Sequence, residues 1–171
     1  GDQEQHEIAR TLTEEYYAAI TENAATDTLD EYCALFRGQM ATWTVAPVLT
    51  AMKVSENRKV WVDVRSAYES FGIAWRLLDD VQDVEEDINS GARTAMYLVL
   101  DEEGRHLWDL ASTDDWAMDR LVNTMIEGAV AETVLARAVK ELMLAESLAD
   151  AHGMDGLADE FRLLAGPLVG G

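Results

Sequence analysis

The sequence predicts an all-α fold, a helical bundle that forms a single domain over residues 1–171. Apolar side chains recur at the helical period in nearly every segment, and no stretch alternates convincingly between apolar and polar residues as a strand does. Hydrophobic residues make up 49% of the chain and charged residues 27%, a balance typical of folded proteins. With two prolines and no repeat or low-complexity tract, the chain offers no sign of an internal domain boundary.

The first three helices are predicted from amphipathic patterns and capping signals. An amphipathic helix is expected over 4–22, followed by a capping signal at Thr26 and Asp27. A second helix is expected over 29–52, and Pro47 inside it predicts a kink or a break.

The third helix is predicted to be long, over 58–88. Ser55 and Asn57 offer caps at its start, and the segment 89–91 (Asn-Ser-Gly) ends it. Gly72 in its interior lowers helix propensity, so we expect a neighbouring element to pack closely there.

A short helix is predicted over 92–100, followed by a loop over 101–104. A long helix is then predicted over 112–151, a last short helix over 155–164 and a frayed tail over 166–171. The segment 112–114 (Ser-Thr-Asp) provides the cap of the long helix, and Gly153 follows its end. Glycines and a proline in the tail disfavour regular structure there.

The charge of the chain restricts its partners. Thirteen Lys and Arg against 33 Asp and Glu give a net charge of −20. This charge excludes nucleic acid as a partner and disfavours an anionic membrane surface, whereas a phosphorylated small molecule is compatible if a divalent cation bridges the like charges. No apolar run is long enough for an integral membrane protein. Because Cys33 is the only cysteine, we expect a reducing, cytoplasmic environment and a buried thiol rather than a nucleophile.

An acidic cluster near the end of the third predicted helix suggests a cation site. Asp79, Asp83 and Asp87 are spaced i, i+4, i+8 and stack on one helical face, with Asp80 and Glu86 beside it. Carboxylates on adjacent turns repel each other, and the negative end of the helix dipole adds to that cost. Hard oxygen ligands favour Mg²⁺, and the absence of histidine from the cluster disfavours zinc or a Glu-x-x-His di-iron site.

A solvated acidic face is the alternative interpretation of this cluster. The preceding segment 71–78 is nearly all apolar, and Val81, Val84 and Ile88 continue that pattern through the acids. A helix that is apolar on most sides is buried, so Asp79 and Asp80 are expected to face a cleft.

The segment 75–83 (Trp-Arg-Leu-Leu-Asp-Asp-Val-Gln-Asp) resembles the second aspartate-rich motif of the trans-isoprenyl diphosphate synthases, which reads Phe-Gln, two residues, Asp-Asp, two residues, Asp. The spacing of Asp79, Asp83 and Asp87 is also similar to the second metal motif of class I terpene synthases. The segment 86–91 resembles the one after the second metal motif of squalene and phytoene synthases. These enzymes share one α-helical fold, that of the class I isoprenoid synthase superfamily.

A weaker resemblance lies upstream. The segment 32–41 is similar to a helix of this superfamily that carries a Lys-Thr pair seven residues after a tyrosine, and Gln39 and Met40 stand at those two positions. The two resemblances and the order of the last helices together extend from about Leu29 to the end of the chain.

The resemblance implies a Mg²⁺-dependent enzyme that uses a prenyl diphosphate, either a polyprenyl diphosphate synthase or a terpene synthase-like enzyme. Such an enzyme ionises an allylic diphosphate in a deep apolar cavity. The implied catalytic residues are Asp79, Asp80 and Asp83, and the implied Mg²⁺ ligands are Asp79, Asp80, Asp83 and Asp87. The implied substrate-binding residues are Arg76, Gln39, Arg93, Trp75 and Tyr97.

Several of these residues have a structural alternative. Arg76 is expected first as an intrahelical ion-pair partner of Asp79 and Asp80, and second as a diphosphate contact. The aromatic and apolar side chains expected along a hydrocarbon cavity are equally compatible with an ordinary core; they are Trp43, Trp61, Trp75, Tyr97, Phe36, Phe71 and Met40. The histidines at positions 6, 106 and 152 lack ligand spacing and receive no role.

The first aspartate-rich motif of the superfamily is absent, and Arg76 replaces the glutamine of the second. The chain therefore corresponds to the C-terminal half of the fold and is expected to be incomplete at its N-terminus. Three possibilities follow: a fragment completed by a missing N-terminal half, a subunit of a homo- or hetero-oligomer, or a non-catalytic, regulatory partner of the same fold. An unrelated acidic bundle is the remaining alternative.

Overall fold

A computed structural model describes residues 2–21 and 26–169, and all regular structure in these ranges is helical, which confirms the all-α prediction. None of the described helices is both long and apolar enough to cross a membrane. A 3-10 turn, Ala41–Thr44, accompanies ten α-helices in the described ranges. They are α1 (Asp2–Thr21), α2 (Leu29–Gln39), α3 (Val45–Val54), α4 (Arg58–Gln82), α5 (Val84–Ser90), α6 (Ala95–Val99), α7 (Glu102–Ala111), α8 (Asp115–Glu127), α9 (Val130–Asp150) and α10 (Asp155–Val169).

The core of the bundle lies between α4 and α9, the two longest helices in the most extensive contact, and α10 folds back onto α9. Small side chains such as Ala74 and Ala138 are fully buried where these helices meet, which permits close approach of their axes. Ile73, Leu77 and Leu142 fill the space between them. Burial of each such side chain contributes about 2 kcal/mol, so this layer fixes the position of α4 and of the acids at its end.

The predicted helix over 29–52 is divided earlier than expected. Its helical hydrogen bonding changes to a 3-10 turn directly after Met40 and resumes at Val45, whereas Pro47 lies within the first turn of α3. A proline is tolerated there because the first amide groups of a helix have no intrahelical acceptor. The cap of α2 is also displaced by one residue from the expected pair, because Thr28 forms a capping box with Glu31.

Gly72 explains where the 3-10 turn packs. A Cβ atom at position 72 would lie 2.5 Å from Sδ of Met40, so the close approach that Gly72 predicts is confirmed. The side chain of Met40 therefore packs directly on α4.

The predicted helix over 58–88 begins after its Asn57 cap as expected but breaks at Asp83. The backbone there adopts φ −98° and ψ 16°, so Asp79 and Asp80 belong to the last turn of α4 and Asp87 belongs to α5. Repulsion between carboxylates on adjacent turns, next to the negative end of the helix dipole, accounts for the interruption. Gly91 ends α5 in the left-handed conformation, as predicted.

Three further boundaries differ from the sequence prediction. Asp101 caps a helix, α7, where a loop is expected over 101–104, and the preceding helix α6 is confined to 95–99. The long helix predicted over 112–151 has the expected cap at Asp114 but is divided at Gly128 and Ala129. The last helix continues to Val169, beyond the predicted end at 164. The final two glycines, and residue 22 of the first predicted helix, lie outside the described residues.

Candidate functional site

An apolar cleft of about 430 Å³ lies between α4 and the segment formed by α2 and the 3-10 turn. Its lining residues are Phe36, Met40, Trp43, Phe71, Gly72, Trp75, Arg76 and Asp79. The packing of Met40 on Gly72 sets its floor, because both residues are buried there. Trp43 and Trp75 form its rim, with 71% and 58% of their surfaces exposed. Five of the residues expected along a hydrocarbon cavity are therefore brought together.

Polar groups are confined to the end of the cleft at the C-terminus of α4. The Arg76 guanidinium lies over the ring of Phe36, with Cζ 5.5 Å from the ring centroid. Its Nη1 atom lies 3.6 Å from a carboxylate oxygen of Asp79, whose side chain is about half exposed. The cleft thus combines aromatic walls with one accessible carboxylate at its mouth.

Asp80, next to this carboxylate, has a different environment. It is 2% exposed and accepts hydrogen bonds from the Tyr32 hydroxyl at 2.8 Å and from the backbone N–H of Ala95 at 3.1 Å. Nε of Arg76 lies 2.9 Å from the other carboxylate oxygen and also donates to the Tyr32 hydroxyl at 2.8 Å. Asp80 therefore joins α2, α4 and the start of α6 through one buried network.

Burial determines how the network titrates. Desolvation raises the pKa of Asp80, and the Ala95 N–H and the positive charge of Arg76 oppose that effect. Desolvation, followed by the negative charge of Asp80, raises the pKa of the Tyr32 hydroxyl, which stays protonated and donates. The ion pair that the sequence predicts for Arg76 is confirmed, and its partner at shorter distance is Asp80 rather than Asp79.

The other two predicted metal ligands lie at the break in the helix and beyond it. Asp83 is exposed, and its backbone N–H donates to the carbonyl of Asp79 at 2.8 Å, so the two side chains stand one turn apart. Asp87 lies half-buried on α5. In the described part of the chain, no group of three or more His, Cys, Asp or Glu side chains is arranged to hold a metal ion.

Two accessible carboxylates one turn apart nevertheless fit the chemistry of Mg²⁺. This ion keeps several waters and is usually held by one or two carboxylates together with substrate phosphates, so it does not require a preformed protein cage. Asp79 presents such oxygens at the cleft, and Asp83 is exposed one turn further along the chain, outside the residues that line the cleft.

Gln39 borders a second, smaller cleft of about 210 Å³, which it shares with Tyr32, Leu35, Phe36 and Arg76. Arg76 lies between the two clefts, because it lines both of them. Gln39 and Arg76 are thus brought into one region, as the sequence resemblance implies for residues that contact one ligand.

Arg93 and Tyr97 are placed elsewhere. Arg93 pairs with Asp109 at 2.9 Å, and its guanidinium lies 4.9 Å from the centroid of the buried Tyr97 ring, with Arg105 on that ring at 5.3 Å. Neither Arg93 nor Tyr97 lines the cleft that contains Trp75. Trp61 also lies apart, in a cleft beside α1, where its indole N–H donates to the carbonyl of Ser55 at 2.7 Å.

Two contacts of this region escape sequence analysis. Tyr32 belongs to the segment that resembles the superfamily, yet its contact with Asp80 spans 48 residues, and Ala95 contributes a backbone group that no side-chain pattern reveals. Among the histidines, His152 has an unexpected partner, since its Nε2 lies 2.6 Å from the buried Asp63 carboxylate.

Comparisons of the chain with protein-family models, with characterised proteins and with solved structures find no match. What the cleft binds is therefore inferred from the chemistry of its lining residues and from the sequence resemblance of the segments that form it.

Proposed function

We propose that the chain supplies half of the site of a Mg²⁺-dependent enzyme of the isoprenoid synthase type, which binds an allylic prenyl diphosphate and ionises it. One observation carries this proposal: an aromatic-walled apolar cleft opens directly beside the half-exposed carboxylate of Asp79. A prenyl diphosphate has the matching composition, an apolar tail joined to an anionic head that requires a cation near a protein of charge −20.

Each part of the ligand has a counterpart among the described residues. The tail would lie along Phe71, Trp75 and Trp43, whose ring faces also attract the positive charge that develops when the allylic C–O bond breaks. Asp79 and Asp83 would hold Mg²⁺, which when bound supplies a Lewis acid that neutralises the departing diphosphate. Arg76 and Gln39 border the head-group end and would orient it.

The proposal requires a second half. The sequence contains one aspartate-rich motif of the two that the resemblance implies, and the cleft is open along its Trp43 and Trp75 rim. A carbocation is quenched by water unless the site is covered, so a further segment or subunit must close the cleft before turnover.

A second candidate function is that of a non-catalytic, regulatory partner of a synthase-like chain. The exposed indoles of Trp43 and Trp75 favour it, because exposed tryptophans are enriched at the centres of protein interfaces. Its expected partner presents an apolar surface flanked by basic groups, which would complement Asp79 and Asp83 at the end of the cleft.

Titration of the purified chain with geranyl diphosphate, followed by tryptophan fluorescence with and without Mg²⁺, tests the first candidate. We expect binding that requires Mg²⁺. Asp79→Asn and Asp83→Asn should each weaken it by at least about tenfold, since even the loss of a residue that only supports a metal ligand typically costs about 10–100-fold in metal affinity. Asp119→Asn, which removes an exposed carboxylate from α8, is the matched control and leaves the affinity unchanged.

Binding that is independent of Mg²⁺, or that neither Asp79→Asn nor Asp83→Asn weakens, would contradict the enzyme proposal. The partner function predicts instead that the chain binds a synthase-like chain without any turnover, and that Trp43→Ser and Trp75→Ser dissociate the complex. Trp116→Ser, at a tryptophan 65% exposed on α8, serves as the control for loss of an exposed indole.

A further inference from the structure

We infer that the two adjacent aspartates at the end of α4 have different tasks: Asp80 is a positioning residue that neutralises Arg76, and Asp79 is thereby left free to bind a cation. The part of this inference that concerns the cation rests on the proposed function. The part that concerns the pairing of Arg76 does not.

The geometry separates the two carboxylates clearly. Nε of Arg76 lies 2.9 Å from an oxygen of Asp80, whose side chain is 1% exposed, whereas Nη1 lies 3.6 Å from Asp79, whose side chain is 48% exposed. A charge pair weakens with distance and with solvent screening, so the guanidinium charge is balanced mainly by Asp80. A half-exposed pair at the longer distance contributes little.

Tyr32 prevents the guanidinium from changing partners. Its hydroxyl accepts from Nε of Arg76 at 2.8 Å while it donates to Asp80 at 2.8 Å, and it sits on a different helix, α2. The Phe36 ring supports the guanidinium plane from the same helix. Rotation of Arg76 toward Asp79 would break both Nε contacts and leave the buried Asp80 carboxylate without its counter-ion, which is costly.

The charge balance at the mouth of the cleft follows from this arrangement. Arg76 and Asp80 form a neutral pair, and the negative charge of Asp79 remains available beside the apolar cleft. Loss of the Asp80 charge releases the guanidinium to pair with Asp79. Asp80→Asn is therefore expected to weaken cation binding although Asp80 does not touch the cation.

Calorimetric titration with Mg²⁺ and geranyl diphosphate tests this indirect role. We expect Asp80→Asn to weaken Mg²⁺ binding by about tenfold, in the range of coupling within one ion-pair network, and the double variant Arg76→Gln/Asp80→Asn to bind Mg²⁺ within about threefold of the affinity of Arg76→Gln alone. If Asp80 were itself a ligand, Asp80→Asn would weaken binding equally with and without Arg76. A loss of about tenfold in the Arg76→Gln background overturns the inference.

A measurement of stability, which needs no ligand, tests separately whether Arg76 pairs with Asp80 or with Asp79. Two double-mutant cycles on urea unfolding compare Arg76→Gln with Asp80→Asn and with Asp79→Asn. We expect Arg76 and Asp80 to be coupled by at least about tenfold in the unfolding equilibrium constant and Arg76 and Asp79 by less than about threefold. The reverse order overturns the inference, and so does equal coupling.

The outcomes also distinguish the two proposals. A wild-type chain that binds no Mg²⁺ with geranyl diphosphate but gives the expected cycles removes the proposed function and leaves the assignment of Asp80 intact. If Asp80→Asn does not fold, the Arg76/Asp79 cycle decides alone: coupling below about threefold supports the inference, and coupling of about tenfold or more overturns it.

Discussion

Cys33 shows how burial controls the chemistry of a single side chain in this bundle. Its thiol is 2% exposed on the inner side of α2, and desolvation raises its pKa, an effect that the nearby positive charge of Arg137 opposes. Because the thiolate is the reactive form, we expect alkylation of native Cys33 by iodoacetamide at about pH 8 to be at least about a hundredfold slower than in urea-unfolded chain. Mass spectrometry of timed samples measures both rates, and comparable rates would contradict the buried position.

Residues of the candidate site divide according to the range of their contacts. The apolar segment 71–78 predicts that Asp79 and Asp80 face a cleft; Asp79 lies at the mouth of one, whereas Asp80 is buried beside it and does not line it. The ion pair of Arg76 is also predictable, because it spans a single turn of a helix. The different tasks of Asp79 and Asp80 cannot be predicted in this way. They depend on Tyr32 and Ala95, which reach Asp80 only when α2 and α6 pack against α4.

Helix boundaries follow local chemistry where a cap or a glycine decides them. Asn57 and Asp114 accept backbone hydrogen bonds as their sequence positions predict, and Gly91 adopts the expected positive φ. The breaks at Met40 and Asp83 are harder to foresee, because apolar periodicity continues through both. Packing of the 3-10 turn on Gly72 and repulsion among carboxylates decide those two positions.

The junction between α8 and α9 contains a strained residue that a substitution should relieve. Ala129 has φ 48° and ψ 45°, a left-handed conformation that costs an L-residue about 1–2 kcal/mol. Ala129→Gly removes that strain, but it increases the entropy of the unfolded chain, so we expect a net stabilisation of about 0.5–1 kcal/mol. Urea unfolding measures it as a higher midpoint with an unchanged slope.

The matched control is Gly153→Ala. Gly153 has φ 65° and open space around its Cβ position, so the change adds backbone strain without a steric clash, and stability should fall by about 1 kcal/mol. Unchanged or lower stability of Ala129→Gly would show that the backbone at the α8–α9 junction is not left-handed in solution.

At the scale of the whole molecule, a network of charges around two buried glutamates joins the helices. Glu69 of α4 and Glu141 of α9 are nearly inaccessible and share the guanidinium of Arg37 from α2, at 3.6 and 3.2 Å. Arg65 links Glu69 to Glu15 of α1. Screening by salt acts weakly on the pairs that include Glu69 or Glu141, so their contribution persists at high ionic strength, whereas the pair of Arg65 with the 40% exposed Glu15 is screened more strongly.

Exposed acids destabilise the folded state, because a net charge of −20 on a chain of 171 residues causes strong self-repulsion there. We expect the Tm to rise when NaCl is increased from about 0.02 M to about 0.5 M, over which range the screening length becomes shorter than the spacing of surface charges. The rise should be at least about 3 °C, the shift that about 1 kcal/mol produces in a domain of this size. Differential scanning fluorimetry measures it.

A variant with fewer exposed acids separates repulsion from general effects of salt. Neutralising three exposed carboxylates (Asp119→Asn, Glu127→Gln and Glu160→Gln) should raise the Tm at low salt and reduce its dependence on NaCl, because the repulsion has already been partly removed. KCl should act like NaCl, since the effect is one of screening. A Tm that falls with salt would mean that ion pairs such as those of Arg37 and Arg65 are screened more strongly than the repulsion, and that the network lies closer to solvent than its burial indicates.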